Sequence, residues 1–177
     1  MQRRDFLHRG VQWGMALALA ANSPLSVAAR RDTTLTLMNT HTGEQVKATI
    51  LSNGQLQASE LAALNRVMRD HRNNQQMAID PDLYQQMAAL QQLFGKSAPM
   101  EIISGYRSPE SNAILRATTS GVAQKSLHME GKAVDIRIPG VSTRQLQQAA
   151  LAMHKGGVGY YPDSGFVHID TGKVRHW

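Results

Sequence analysis

The sequence of 177 residues predicts an α+β fold, an antiparallel sheet with helices packed on one of its faces. Three observations carry that expectation. Short strand-like runs bounded by turn residues recur along the chain, at 35–39, 46–51, 100–104, 133–138 and 166–170. Between them lie three longer stretches with apolar residues at helical spacing, at 59–72, 81–94 and 143–154. The runs at 133–138 and 166–170 share one phase. Val134, Ile136 and Ile138 fall on one side of the first, Val167 and Ile169 on one side of the second, and polar residues fill the opposite sides.

The first 29 residues read as an address rather than as fold. Arg3-Arg4-Asp5-Phe6-Leu7 has the form of a twin-arginine export signal, and the apolar segment 11–21 is too short to remain as a membrane anchor. Val27-Ala28-Ala29 supplies the small residues of a cleavage site, so one mature domain over 30–177 is expected. Its export would require the twin-arginine translocase and would deliver it to the periplasm. Losing Arg3, Arg4, Arg9 and Asp5 leaves 16 basic against 12 acidic side chains, a net +4 instead of +6. That balance suits an anionic polymer, and would also suit nucleic acid or lipid headgroups. Aromatics make up 5% of the chain and no basic run is interleaved with them, which argues against a nucleic-acid stacking platform. The absence of Cys excludes both a disulfide framework and any Cys-ligated metal.

The runs 35–39 and 46–51 predict a hairpin around His41-Thr42-Gly43-Glu44. Ser59-Glu60 opens a helix carried to about Arg72 by Leu61, Leu64, Val67 and Met68, with His71 to Asn74 as its solvated end. Asp80-Pro81 starts a second helix, which Gly95 stops. The strand Met100–Ser104 delivers Gly105-Tyr106-Arg107, and Ser108-Pro109-Glu110 starts another helix. Arg107 thus lies where a rigid strand meets a helix, and its fork can hold a carboxylate or phosphate at two points. Ser142 caps the helix from Thr143, and Gly156-Gly157 releases the chain into 158–161. A turn at 162–165 leads to the last strand. One of Tyr160 and Tyr161 is expected to line a cleft; we assign Tyr160 to substrate.

If the strands at 133–138 and 166–170 pair with their apolar sides on a core, Asp135, Arg137, His168 and Asp170 collect on the other side. His128 reaches them from the preceding loop. Two neutral imidazoles and one carboxylate suit Zn2+, and three protein ligands leave a position open for water, as in catalytic zinc sites. A carboxylate in an apolar strand needs such compensation, because a bare buried charge costs several kcal/mol. The metal ligands predicted for one Zn2+ are His128, Asp135 and His168. The same three residues would also fit Fe2+ in an oxygenase, but no α-keto acid site is visible.

The motif Ser126-x-His128-x-x-Gly131-x-Ala133-x-Asp135 with the later His168 resembles that of the M15 zinc peptidases. These include D-alanyl-D-alanine peptidases and share a fold with the Hedgehog signalling domain. Gly105-Tyr106-Arg107-Ser108, the stretch Gly156 to Pro162 and the terminal Arg175-His176-Trp177 extend the likeness over about 35–177 and bring it nearest to the murein endopeptidase K branch. The resemblance implies a zinc-dependent endopeptidase cutting peptidoglycan cross-links between diaminopimelate residues. Arg107 would stabilise the oxyanion or bind a substrate carboxylate, with Tyr106 and Ser126 among the substrate contacts. A carboxypeptidase trimming stem peptides, or a wall-binding module with a relict zinc site, are the alternatives it leaves.

One departure matters. Many M15 enzymes carry a Glu general base three residues before the last ligand His, where this chain has Gly165. Asp170 shares the phase of His168 and is either the replacement base or the acceptor that orients a ligand His. Glu130 and His176 are further candidates for the base.

Overall fold

The computed structural model describes residues 32–95 and 98–177; the expected leader at 1–29 lies outside them. The element order is β1 (Thr33–Asn39), β2 (Gln45–Ser52), β3 (Gln55–Leu56), α1 (Ala58–Val67), α2 (Pro81–Leu93), β4 (Met100–Ser104) and α3 (Pro109–Thr118). One turn of 3-10 helix (Leu127–Glu130) follows, then β5 (Ala133–Arg137), α4 (Thr143–Ala152), β6 (Gly157–Tyr161), β7 (Phe166–Asp170) and β8 (Arg175–His176). The eight strands form one sheet in the order β3-β2-β1-β4-β5-β7-β6-β8. The α+β class stands, but the sheet is mixed rather than wholly antiparallel. β1 runs parallel to β4 and β8 parallel to β6, because α1 and α2 intervene between β1 and β4, and a turn returns the chain from β7 to β6.

Alternation decides what each strand contributes. Leu35, Leu37, Ile50, Ile102, Val134, Ile136, Val167 and Ile169 are all buried and meet Leu64, Leu83, Met87 and Leu146 from the helices. α1, α2 and α4 pack on the sheet through these side chains. β5 and β7 pair antiparallel with Asp135 directly opposite His168 and Ala133 opposite Asp170. Pairing in that register puts the polar phase of both strands on the face away from the core.

Local chemistry accounts for most helix boundaries. Asp80 accepts a hydrogen bond from the Asp82 N–H ahead of Pro81, Ser108 accepts from the Ser111 N–H, and Ser142 closes a reciprocal capping box with Gln145. α1 departs from expectation: it ends at Val67, not near Arg72. The cause is tertiary. The Met68 carbonyl accepts from Tyr106 N–H at 2.7 Å, and Asp70 turns inward with no exposure to bind the Ser108 N–H at 2.9 Å. His71 consequently sits half-buried beyond the helix, stacked on His41 with centroids 3.7 Å apart. Among the described residues no helix is long and apolar enough to cross a membrane.

Candidate metal centre

Three local features bring the central residues together. The Ser126 hydroxyl accepts from the His128 N–H and caps the 3-10 turn, which ends on Gly131 in the left-handed region at φ 67°. A Cβ at Gly131 would also strike the Ala78 carbonyl, so only glycine fits there. The turn aims His128 back at the sheet, where its Nδ1 donates to the Gly105 carbonyl at 2.8 Å. Strand register supplies Asp135 and His168 side by side. All three are buried, and among the described residues they form a His-Asp-His group whose ligand atoms lie within 4.8 Å of one another.

Hydrogen bonding fixes which ring nitrogens face inward. His128 uses Nδ1–H on a carbonyl, leaving the Nε2 lone pair free. His168 Nε2 lies 3.1 Å from the Asp170 carboxylate and carries its proton there, leaving the Nδ1 lone pair free. The three inward atoms are then His128 Nε2, His168 Nδ1 and Asp135 Oδ1. They are separated by 3.2, 2.9 and 3.4 Å. Three electron pairs at that spacing repel unless a cation lies among them. Two ligands about 2.0–2.1 Å from one tetrahedral ion stand about 3.3–3.4 Å apart, so the triangle is close to one face of such a shell, with the His168–Asp135 edge shorter. Without a metal ion a proton has to serve. Burial disfavours charge on His168, yet Asp135 and Asp170 outweigh it and raise its pKa. Burial likewise opposes ionisation of Asp135, and the two imidazoles overcome it, holding the carboxyl well below the usual range.

The other predicted residues divide. Arg107 reaches the cluster: its guanidinium is buried, 3.9 Å from Asp135 and 3.1 Å from Ser104 Oγ. Its contact with Asn112 is long, at 3.4 Å. Among the described residues, Arg107 Nε is the buried side-chain polar atom left without a hydrogen-bond partner. Asp170 also reaches it, and every part of its carboxylate is used. Oδ1 accepts from Gly157 N–H, Gly172 N–H and Arg175, while Oδ2 accepts from His168 and Arg175. Burial opposes that charge, but these donors hold the Asp170 carboxyl far below its ordinary pKa.

Tyr106 does not line a cleft; its side chain is part of the apolar core. Tyr160 takes the phase of Val167, and its neighbour takes that of His168. Tyr161 lies opposite Phe166 in the phase of His168, stacks on Phe166 and accepts from the indole of Trp177 at 2.8 Å. Ser126 is occupied as the turn cap. Glu130 pairs with Lys132 at the surface, and Arg137 pairs with Glu101 away from the ligands. His176 is exposed in β8 and lies opposite Val158, in the other phase from Arg175 and Trp177, which reach the cluster. Trp177 escaped sequence reasoning, although its ring lies 5.2 Å from that of His168. The one signal for it was the terminal Arg-x-Trp.

Comparison with known proteins finds relatives over most of the chain. An M15 peptidase family model described as peptidoglycan L,D-endopeptidase MepK matches residues 27–177. Peptidoglycan L,D-endopeptidase MepK of Escherichia coli strain K12 is 46% identical over 168 residues, covering 95% of this chain and 92% of the relative. The protein of the same description from Shigella flexneri shows the same figures. A probable peptidoglycan L,D-endopeptidase MepK of Haemophilus influenzae is 39% identical, covering 99% and 95% of the two chains. No solved structure matches.

Proposed function

The chain belongs to the M15 peptidase family described as peptidoglycan L,D-endopeptidase MepK, and on that premise we propose that it hydrolyses peptidoglycan cross-links joining two diaminopimelate residues. One Zn2+ is held by His128, Asp135 and His168. The observation that carries this assignment is the triangle of inward lone pairs, which calls for a cation and is close in size to a tetrahedral face. When bound, zinc supplies a Lewis acid for the scissile carbonyl and lowers the pKa of water.

The remaining tasks fall to the protein's own groups. Arg107, with Nε unpartnered, has donor capacity for a substrate anion, either the developing oxyanion or a carboxylate. An L,D cross-link between diaminopimelates suits that second use. The nitrogen of its scissile bond sits on a D-centre bearing a free carboxylate, so locally the leaving side looks like a chain terminus. A buried arginine beside the ligands can hold that carboxylate while the cross-link continues beyond it. Asp170 is a positioning residue: it accepts a hydrogen bond from His168 Nε2–H and so keeps Nδ1 aimed at the cation. With both oxygens saturated, it has no free lone pair suited to act as a base. Residues 1–29 serve as a twin-arginine leader for the domain at 30–177, which places the activity in the periplasm.

A second reading has one observation in its favour. Gly165 stands where many M15 enzymes carry their Glu base, so the domain could bind wall peptide through a zinc centre without cutting it. One experiment separates the two. Zinc-loaded protein is incubated with peptidoglycan containing both diaminopimelate–diaminopimelate and alanine–diaminopimelate cross-links, and released fragments are identified by mass spectrometry. Selective loss of the former dimers is expected. Zinc retention and peptidoglycan binding without release of any fragment would establish the non-catalytic module instead.

A further inference from the structure

β6 begins Gly157-Val158-Gly159, an unusual pair of glycines in one phase of a buried strand, where glycine packs nothing and is conformationally costly. Both have steric reasons. A Cβ at Gly157 would come within 2.4 Å of the Asp170 carboxylate and 2.6 Å of the Arg175 guanidinium, and one at Gly159 within 2.8 Å of the Trp177 indole. β8 runs parallel to β6 with Arg175 opposite Gly157, so the two glycines receive the alternate side chains of the chain's last three residues. Arg175 then grips Asp170 with both arms, NH2 to Oδ2 at 2.7 Å and NH1 to Oδ1 at 3.2 Å. Trp177 lies against the His168 ring and beneath the Arg175 cation, 5.0 Å from the indole centroid.

We propose that Arg175 is a positioning residue of the metal centre: it locks Asp170, which fixes the tautomer and direction of His168, while Trp177 covers the imidazole. The inference rests on the zinc assignment above. Two effects of Arg175 oppose one another. Its positive charge disfavours a nearby cation, and its two-point grip favours the correctly aimed ligand. The side chain is 44% exposed, which screens the charge, whereas Asp170 is wholly buried and its orientation is set by the donors around it. Orientation therefore dominates, and losing the grip weakens zinc binding.

The test uses the full chain carrying Trp13→Phe, so that Trp177 is the single tryptophan. Zinc affinity is measured by chelator competition, alongside the indole emission and the melting temperature of the metal-free protein. Arg175→Ala is expected to weaken zinc binding by about 10- to 100-fold, the range for partners of ligand histidines, and to change the response of Trp177 emission to zinc. Arg175→Lys keeps the charge but not the fork, and is expected to recover only part of the affinity. The metal-free melting temperature should stay close to that of the parent, because a two-residue edge strand holds little of the core. Undiminished affinity in Arg175→Ala, or full affinity in Arg175→Lys, overturns the positioning role. A lower metal-free melting temperature with unchanged affinity assigns Arg175 to plain structure. Failure of the parent chain itself to bind zinc would instead remove the zinc assignment.

Discussion

Replacing Arg107 by Met should separate function from stability. In the folded protein this guanidinium has one ordinary hydrogen bond, to Ser104 at 3.1 Å, a long one to Asn112 at 3.4 Å and an ion-pair contact with Asp135 at 3.9 Å. The first is worth about 1 kcal/mol net, while a buried N–H left unmatched costs about 1–3 kcal/mol, and Nε is in that state. Burial also lowers the guanidinium's pKa, with Asp135 opposing the shift. Met fills similar volume without any polar atom. In the zinc-loaded protein, where the cation compensates Asp135, Arg107→Met should therefore unfold within about 1 kcal/mol of the parent, or later. Its activity should fall about 100- to 1,000-fold, the cost of removing one oxyanion-type donor. The assay pairs urea unfolding with steady-state cleavage of a purified diaminopimelate-linked dimer. A loss confined to kcat points to charge developing in the transition state, and one confined to KM to a carboxylate held in both states. Arg107→Lys keeps a charge without the fork and should recover little. A variant destabilised by more than about 3 kcal/mol that still cleaved the dimer at the parental rate would show that Arg107 is a structural ion-pair partner.

Three further outcomes concern Asp170, His71 and the expected leader. Asp170→Asn should weaken zinc binding about 10- to 100-fold with turnover restored by added zinc; a large turnover loss persisting at saturating zinc would return Asp170 to the role of base. His71 has its pKa pushed down to about 4 by burial and by the neighbouring His41, so the unfolded chain binds more protons than the native one between about pH 4 and 6.5. Stability should accordingly fall as pH drops through that window, and denaturant midpoints of His71→Phe, which keeps the stacked ring, should show a shallower slope; identical slopes would exclude His71 as the source. Changing Arg3 and Arg4 to Lys should leave uncleaved precursor in the cytoplasm by immunoblot of fractions, and normal processing in cells lacking the twin-arginine translocase would assign export to another route.

What could be read from the sequence was whatever depends on period and on short-range caps. The phases of 133–138 and 166–170 put Asp135 and His168 on one face, and the register that places them opposite one another follows from burying Val134, Ile136, Val167 and Ile169. Ser108 and Ser142 were legible as caps because each bond closes within three residues. The end of α1 was not, because the groups that stop it lie 38 residues away: Tyr106 N–H on the Met68 carbonyl, and Ser108 N–H on Asp70. The phases of Tyr160 and Tyr161 were out of reach for a related reason. Two adjacent tyrosines carry opposite phases, and only the pairing of Tyr161 with Phe166 says which phase belongs to the ligand face.

The terminal residues pose the same problem in its sharpest form. A two-residue strand has no period of its own, so nothing in Arg175-His176-Trp177 tells which side chain points inward. Chemistry suggested the histidine, the residue type most used for proton transfer at neutral pH. Topology chose its neighbours, because parallel pairing with β6 seats Arg175 and Trp177 over Gly157 and Gly159. The consequence reaches the question of the base. With Asp170 saturated by Arg175, His168 and two backbone N–H groups, Glu130 on Lys132 and Glu101 on Arg137, each of these carboxylates near the cluster in sequence or pairing is already engaged. On the reading proposed above, the acidic group that many M15 enzymes carry before the last ligand His has not simply moved to Asp170. That carboxylate has been drawn into holding a histidine, and the arginine that holds it in turn stands two residues from the end of the chain.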